Sequence, residues 1–237
     1  MCKFLPAFAF AAVVALAASP ARADLPEECV SHEDPRRQIT VCSDFLDKNP
    51  RVAEAYNNRG FAFGLLRRFH AAIADFDTAI KLNPQYAIAF NNRAVAYRML
   101  GQEEAAIKDF EAAIKIDPEY LEAVLGKAIS HRNLGDYASA HQSLDRALKL
   151  NPKYGPAYRN KGDVFMREQR FADAIVFYNQ ALILDISDAD AYFNRGLAYE
   201  ALGSRPVAIT NYRLALRYNP ELDDARKALE RLGEPVN

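Results

Sequence analysis

Five stretches of 34 residues follow one another without an insertion: Ala53 to Tyr86, Ala87 to Tyr120, Leu121 to Tyr154, Gly155 to Asp188 and Ala189 to Leu222. No other feature of the chain narrows its possible folds so far, because a fixed period of this length means one supersecondary unit repeated and stacked. Small residues recur at Gly60, Ala94, Ala128, Gly162 and Gly196 in the first half of each copy. In the second half alanine fills every equivalent slot, at Ala72, Ala106, Ala140, Ala174 and Ala208 and again at Ala79, Ala113, Ala147, Ala181 and Ala215. Small side chains let helices approach closely, and the bulky residues between them, Phe76, Phe110, Leu144, Tyr178 and Tyr212, fill the remaining space. Pro84, Pro118, Pro152 and Pro220 close four of the five copies, and proline cannot continue a helix.

Each copy splits into two helices of about 13 residues with a short turn. The turn is clearest at Leu100-Gly101-Gln102 and Leu134-Gly135-Asp136, where glycine accepts the left-handed conformation after a helix end. In the second copy the helical period predicts burial of Phe90, Ala94 and Tyr97 from the first helix and Ala106, Ile107, Phe110, Ala113 and Ile114 from the second. A single pair of this size cannot bury its own apolar face, so neighbouring pairs must stack.

These small, aromatic and proline positions resemble the tetratricopeptide repeat (TPR) family over Ala53 to Leu222. The resemblance implies an all-α fold, a right-handed superhelix (α-solenoid) of five helix-turn-helix repeats whose first helices line a concave groove. Three positions depart from the pattern. Ile186 stands where proline closes the other copies, Arg205 replaces the aromatic after the turn in copy five, and Pro206 enters the first turn of that copy's second helix. An opening-turn amide has no intrahelical partner, so Pro206 is tolerable.

Ahead of the repeats, Met1 to Ala23 carries Lys3, an apolar run from Phe4 to Ala18 and the small-x-small sequence Ala21-Arg22-Ala23. This reads as a secretory signal peptide cut after Ala23, of the kind found on exported bacterial proteins. Cleavage leaves Cys29 and Cys42 as the remaining cysteines, and an even pair in an exported chain points to a disulfide. A metal pair or a catalytic thiol lacks any second ligand pair nearby. Asp34 followed by Pro35 is a helix-opening pair, so residues 24–52 are expected to form a disulfide-stapled cap or half repeat with a helix from Pro35 to about Asp47. At the other end Asp223 to Leu232 reads as a capping helix, with Ala225, Leu229 and Leu232 inward, ended by Gly233 and Pro235.

Thirty basic and 31 acidic residues give a formal charge of −1, which argues against nucleic acid as a partner, since phosphate binding depends on an excess of Lys and Arg on one face. No second apolar span follows the leader, so no membrane insertion is expected after cleavage and the chain is expected to be periplasmic or secreted, as a monomer. His32, His70, His131 and His141 have no metal-ligand spacing, and no nucleophile elbow, P-loop or dinucleotide fingerprint occurs. No enzymatic activity, metal or cofactor is therefore expected.

What remains is binding of a protein or peptide partner. Asn58, Asn92, Asn160 and Asn194 share one register in the first helices, and Gly126 breaks the row in copy three. In TPR relatives with an asparagine ladder this register faces the groove, so the resemblance implies amides that hydrogen-bond a peptide backbone. Bonding between neighbouring helices is the alternative. One residue later comes a basic row, Arg59, Arg93, Lys127, Lys161 and Arg195. It looks like an anion-binding stripe, although Asp75 and Asp109 stand at a matching register where they could form structural ion pairs. Further groove candidates are Arg98, Arg132 and Arg159, together with Phe61, Val95, Ile129, Asp163, Met166 and Arg167. The clamp by which some TPR modules grip acidic chaperone tails is not supplied: on copies one to three its positions are Asn57, Phe61, Asn92, Glu122 and Gly126. The expected function is an exported scaffold or adaptor that holds a peptide in the groove, or alternatively a non-catalytic accessory subunit of a cell-envelope enzyme or assembly complex.

Overall fold

The computed structural model describes residues 25–235, which form thirteen α-helices with no strand among them. The signal sequence expected at residues 1–23 lies outside the described residues. The chain divides between Ser130 and His131 into two compact units. The first holds α1 (Glu27–Val30), α2 (Pro35–Lys48), α3 (Ala53–Leu65), α4 (Phe69–Leu82), α5 (Ala87–Met99), α6 (Glu103–Ile116) and most of α7 (Leu121–Leu134). The second continues with α8 (Tyr137–Leu150), α9 (Gly155–Arg167), α10 (Phe171–Leu184), α11 (Ala189–Ala201), α12 (Arg205–Tyr218) and α13 (Asp223–Arg231). No helix among the described residues is long and apolar enough to cross a membrane.

Within each unit, consecutive helices pack as antiparallel hairpins, and the repeated pattern shows why. Phe76, Phe110, Leu144, Tyr178 and Tyr212 are completely buried, and the alanines around them are equally inaccessible. In the second copy Ala94, Ala106, Phe110 and Ala113 are buried as the period predicts, but Phe90, Tyr97, Ile107 and Ile114 are only half-buried. They stand at the margins of the stripe, where a neighbouring helix covers one flank and solvent the other.

The hairpin turns need one left-handed residue. Gly101, Gly135 and Gly203 supply it at φ 74°, 81° and 75°, while Arg67 and Gln169 adopt φ 60° and 61° despite carrying side chains. Connections between hairpins use a different device. Asn83, Asp117, Asn151, Asp185 and Asn219 each accept, through a side-chain oxygen, the amide two residues on, at 2.9 to 3.1 Å. This Asx turn also forms at Asp185, so the loop with Ile186 in place of proline keeps the same local hydrogen bond.

The N-terminal cap is built from Asp34, whose carboxylate accepts Arg36 N at 2.9 Å and Arg37 N at 3.2 Å and so opens α2. Cys29 and Cys42 form a disulfide with Cα atoms 5.0 Å apart, and both are fully buried with Leu46 and Ala55. Gln38, also buried, donates Nε2 to Cys29 O at 3.1 Å. At the far end Ala225, Ala228 and Leu229 of α13 are buried, while Leu232 is only half-buried.

Candidate functional site

The basic row is engaged inside the stack. Arg59 donates Nε and Nη2 to the two carboxylate oxygens of Asp75, each at 2.8 Å, and Nη1 to Ser43 Oγ at 3.1 Å. Arg93 repeats the fork on Asp109 at 2.7 Å and gives Nη1 to Asp77 at 2.6 Å. Lys127 donates to Glu111 at 2.7 Å and Lys161 to Asp145. Arg195 closes the series on two amides, Asn211 Oδ1 at 2.8 Å and Asn179 Oδ1 at 2.6 Å. Each cation thus reaches one acceptor 16 residues earlier, on the second helix of the preceding copy or, for Arg59, on α2. Of the two readings of this row, the structure shows the pairing one: Arg59 and Arg93 hold Asp75 and Asp109, and the five side chains are joints between hairpins rather than an anion-binding stripe.

The electrostatics agree. The hydrogen bond to Asp75 raises the Arg59 guanidinium above its ordinary pKa. Burial alone disfavours charge on Arg93, but the carboxylates of Asp109 and Asp77 more than offset it and raise the group. Arg195 has only neutral amide acceptors, and there burial lowers the guanidinium below its usual value. The matching signal was present in the sequence, as Asp77, Glu111 and Asp145 recur with the repeat.

The asparagine row also faces its neighbours, differently in each unit. In the first unit Asn92 is 1% exposed and donates Nδ2 to Asn57 Oδ1 on α3 at 3.1 Å. Asn57 in turn donates to Asn58 Oδ1 at 3.4 Å, and Asn58 is half-buried. As folded, Asn92 presents no free amide to a ligand. The break at Gly126 has a steric cause. A Cβ there would lie 2.4 Å from the Phe110 ring. In copies one, four and five the corresponding ring packs against a glycine of its own hairpin, whereas copy two has Ala94 there. The Phe110 ring occupies the space beside residue 126 that a side chain would take. Arg98 lies half-buried near the end of α5, and His32 packs at a tilt of 43° against Phe61 with ring centroids 4.5 Å apart.

In the second unit the candidates converge. Asp163 on α9 accepts three donors: Arg132 Nη1 at 2.9 Å, Asn194 Nδ2 at 2.9 Å and Tyr178 OH at 2.8 Å. Burial pushes the Tyr178 hydroxyl well above its usual pKa, so it stays protonated as a donor. Arg132 also donates to Asn160 Oδ1 at 3.1 Å, and Asn160 Nδ2 binds Pro156 O at 2.9 Å. Arg159 reaches across to α11, to Asp190 at 2.7 Å and Asp188 at 3.3 Å. Burial disfavours its charge, yet those carboxylates raise its pKa. The result is a polar ladder from the end of α7 across α9 to α11, half-buried at Arg132, Arg159, Asp163 and Asn194 and buried at Asn160. Asp188 and Asp190 were not among the residues singled out by repeat spacing, because each pairs with a cation 29 or 31 residues away rather than within its own copy.

The repeats also match known proteins. Models described as tetratricopeptide repeat match residues 53–86 and 87–120, 125–189, and 189–222. No curated protein matches the chain. Among solved structures, PilW, described as a widely conserved type IV pilus biogenesis factor, is similar over 90% of this chain and 100% of its own, with TM-score 0.77 and 20% identity. A thermophilic TPR protein of Thermus thermophilus gives 76% and 97% coverage, TM-score 0.68 and 23% identity. YrrB, described as a TPR protein with an unusual peptide-binding site, gives 80% and 97%, TM-score 0.55 and 22% identity. At these identities the likeness is one of fold. With the family models matched almost end to end from residue 53 to residue 222, the chain belongs to the tetratricopeptide repeat family.

Proposed function

We propose that the protein is an exported, monomeric scaffold that binds an extended peptide segment of a partner protein across its first helices. The observation that supports this most is the ladder Arg132, Asn160, Asp163, Asn194 and Arg159 in the second unit, half-buried at every member but the buried Asn160. It runs from one first helix to the next. Adjacent helices stand about 8–10 Å apart, and an extended chain advances about 3.3 Å per residue, so a peptide laid across would meet one helix about every third residue. Each crossing then offers it donors and acceptors. Export is supported by the buried Cys29–Cys42 disulfide, which persists in oxidising compartments, and by the leader-like residues 1–23. No catalytic role is assigned to any residue.

The test is to select binding peptides from a displayed random library and measure their affinity by calorimetry. Micromolar binding, about 8 kcal/mol, is expected, weakened roughly tenfold by Asn194→Ala or Arg159→Ala through loss of one or two hydrogen bonds. Selected peptides whose affinity ignores both substitutions would sink the proposal. A stable large complex that ignores them would instead favour the accessory-subunit reading.

A further inference from the structure

A cavity of about 400 Å³ opens in the first unit, between the first turns of α2 and the turn that joins α3 to α4, and is lined by Arg36, Ile39, Leu66 and Arg68. Ile39 and Leu66 are half-buried, and the two arginines are exposed. Neither guanidinium has an ion-pair partner among the described residues. The acids closest in sequence are engaged elsewhere: Glu28 pairs with Arg37, and Asp34 accepts the amides of Arg36 and Arg37.

Both walls are fixed before any ligand arrives. The Asp34 cap sets the start of α2, and the turn is closed by Arg67 N to Gly64 O at 2.9 Å and Arg68 N to Phe63 O at 2.8 Å. The Arg68 guanidinium lies 4.7 Å from the centre of the Phe63 ring. Stacking of that kind takes up the flat face of the group and leaves its N–H edge free to donate.

The other repeats separate what the fold requires from what is particular here. At the 34-residue spacing the apolar pair recurs as Ile73 with Leu100 and Ile107 with Leu134, so it belongs to the stack. The places of Arg36 and Arg68 instead carry His70 and Gln102, Glu104 and Asp136, Ala138 and Arg170, and Ala172 and Ser204. Two arginines meet only at the first of these junctions. Like charges at one cavity repel, and α2 adds the positive end of a helix with no acidic residue in its first turn. An anion relieves that repulsion, and guanidinium groups match the two oxygens of a carboxylate. Ile39 and Leu66 add an apolar surface that a bare inorganic anion would leave wet.

We propose that this cavity binds a carboxylate carried on a short branched aliphatic body, the chemistry shared by a free branched-chain acid and by the C-terminal leucine of a polypeptide. Arg36 and Arg68 hold the carboxylate, and Ile39 and Leu66 receive the hydrocarbon. The site shares no residue with the polar ladder and does not depend on the peptide-binding reading.

The test titrates isocaproate into the purified protein and follows the methyl signals of Ile39 and Leu66 by NMR. Saturable shifts with a dissociation constant of about 1 mM or below are expected. Arg36→Gln and Arg68→Gln should each weaken binding about tenfold, as for loss of a charge-assisted hydrogen bond. Arg51→Gln removes an exposed charge of the same unit outside the cavity and should change nothing. Isocaproamide, acetate and inorganic phosphate, which lack either the charge or the hydrocarbon, should bind about tenfold more weakly or worse. An acetylated tripeptide ending in leucine, set beside its C-terminal amide, distinguishes the sources. Tighter binding of the tripeptide acid than of isocaproate assigns the site to a polypeptide C-terminus, and binding of isocaproate alone assigns it to a free acid; either result upholds the proposal. Circular dichroism melting confirms that each variant is folded. No saturable shift with either acid, phosphate binding as tightly as isocaproate, or binding indifferent to both arginine substitutions would overturn it. So would equal binding of the tripeptide and its amide, or adsorption to phosphatidylglycerol vesicles through Arg36 and Arg68 without methyl shifts from either acid.

Discussion

At position 126 the absence of a side chain matters twice: it interrupts the asparagine row and it admits the ring of Phe110. Gly126→Asn would complete the row on paper, but its Cβ would start 2.4 Å from that ring. Overpacking of this kind costs about 1–3 kcal/mol, and the expected outcome is a fall in urea midpoint without a change in slope. Adding Ala94→Gly opens space on the ring's other side and should recover part of the loss, a coupling that a double-mutant cycle would reveal. An unchanged midpoint for the single variant would mean that the ring moves freely. The gap itself was plain in the sequence. Its cause was not, because whether an aromatic ring leans toward its own hairpin or the next depends on which small residue, Ala94 or Gly126, leaves more room.

Among the helices, the two end caps are held by different chemistry. The short α1 is pinned to α2 by Cys29–Cys42, and closing a loop of 13 residues contributes about 3 kcal/mol in the chain-entropy picture. Reduction, or Cys29→Ser with Cys42→Ser, should lower thermal stability and first increase hydrogen exchange in α2 and α3, leaving α11 and α12 little changed, since a repeat stack loosens locally. Uniform loss of protection along the chain would contradict this. At the other end Arg231 of α13 donates Nη2 to Glu200 Oε2 at 3.0 Å, and Tyr212 OH donates to the same carboxylate at 2.6 Å. The Arg231 hydrogen bond, aided by Tyr212, holds Glu200 below its ordinary value of 4.5. A carboxyl depressed on folding adds stability that is fully present above the unfolded value and is lost as pH falls through the folded one. Thermal stability of the C-terminal cap should therefore drop below about pH 4.5, and Glu200→Gln should flatten that acid limb while lowering the plateau at neutral pH. An acid limb identical in the variant would remove Glu200 from the account. Helix positions were readable from period, proline and glycine. The Asx turns were hidden in the residue before each proline, and only Asp185, which keeps the turn beside Ile186, shows that the asparagine or aspartate forms the bond whether or not proline follows.

For the whole chain, the 34-residue period announced a stack of helical pairs because alanine spacing and bulky residues leave few other ways to bury so much apolar surface. The candidate site was legible only as a set of registers. Repeat alignment treats every residue in a row alike, yet Asn92 is sealed against Asn57 while Asn194 reaches a carboxylate on the first helix of the preceding copy. That difference comes from Asp163, which stands at the position where earlier copies carry Phe61, Val95 and Ile129. The joints between hairpins carry a further consequence. The outer acids of three of them, Asp77, Glu111 and Asp145, are about half exposed, so dissolved ions compete with their cations. The joint at Arg195 rests on Asn179 and Asn211, which bring no opposite charge to be screened. Ionic strength therefore acts on this molecule as a selective solvent for its seams: concentrated salt slackens the charged ones and passes over the amide one, so a stack of near-identical modules acquires unequal flexibility along its length from nothing more than the buffer around it.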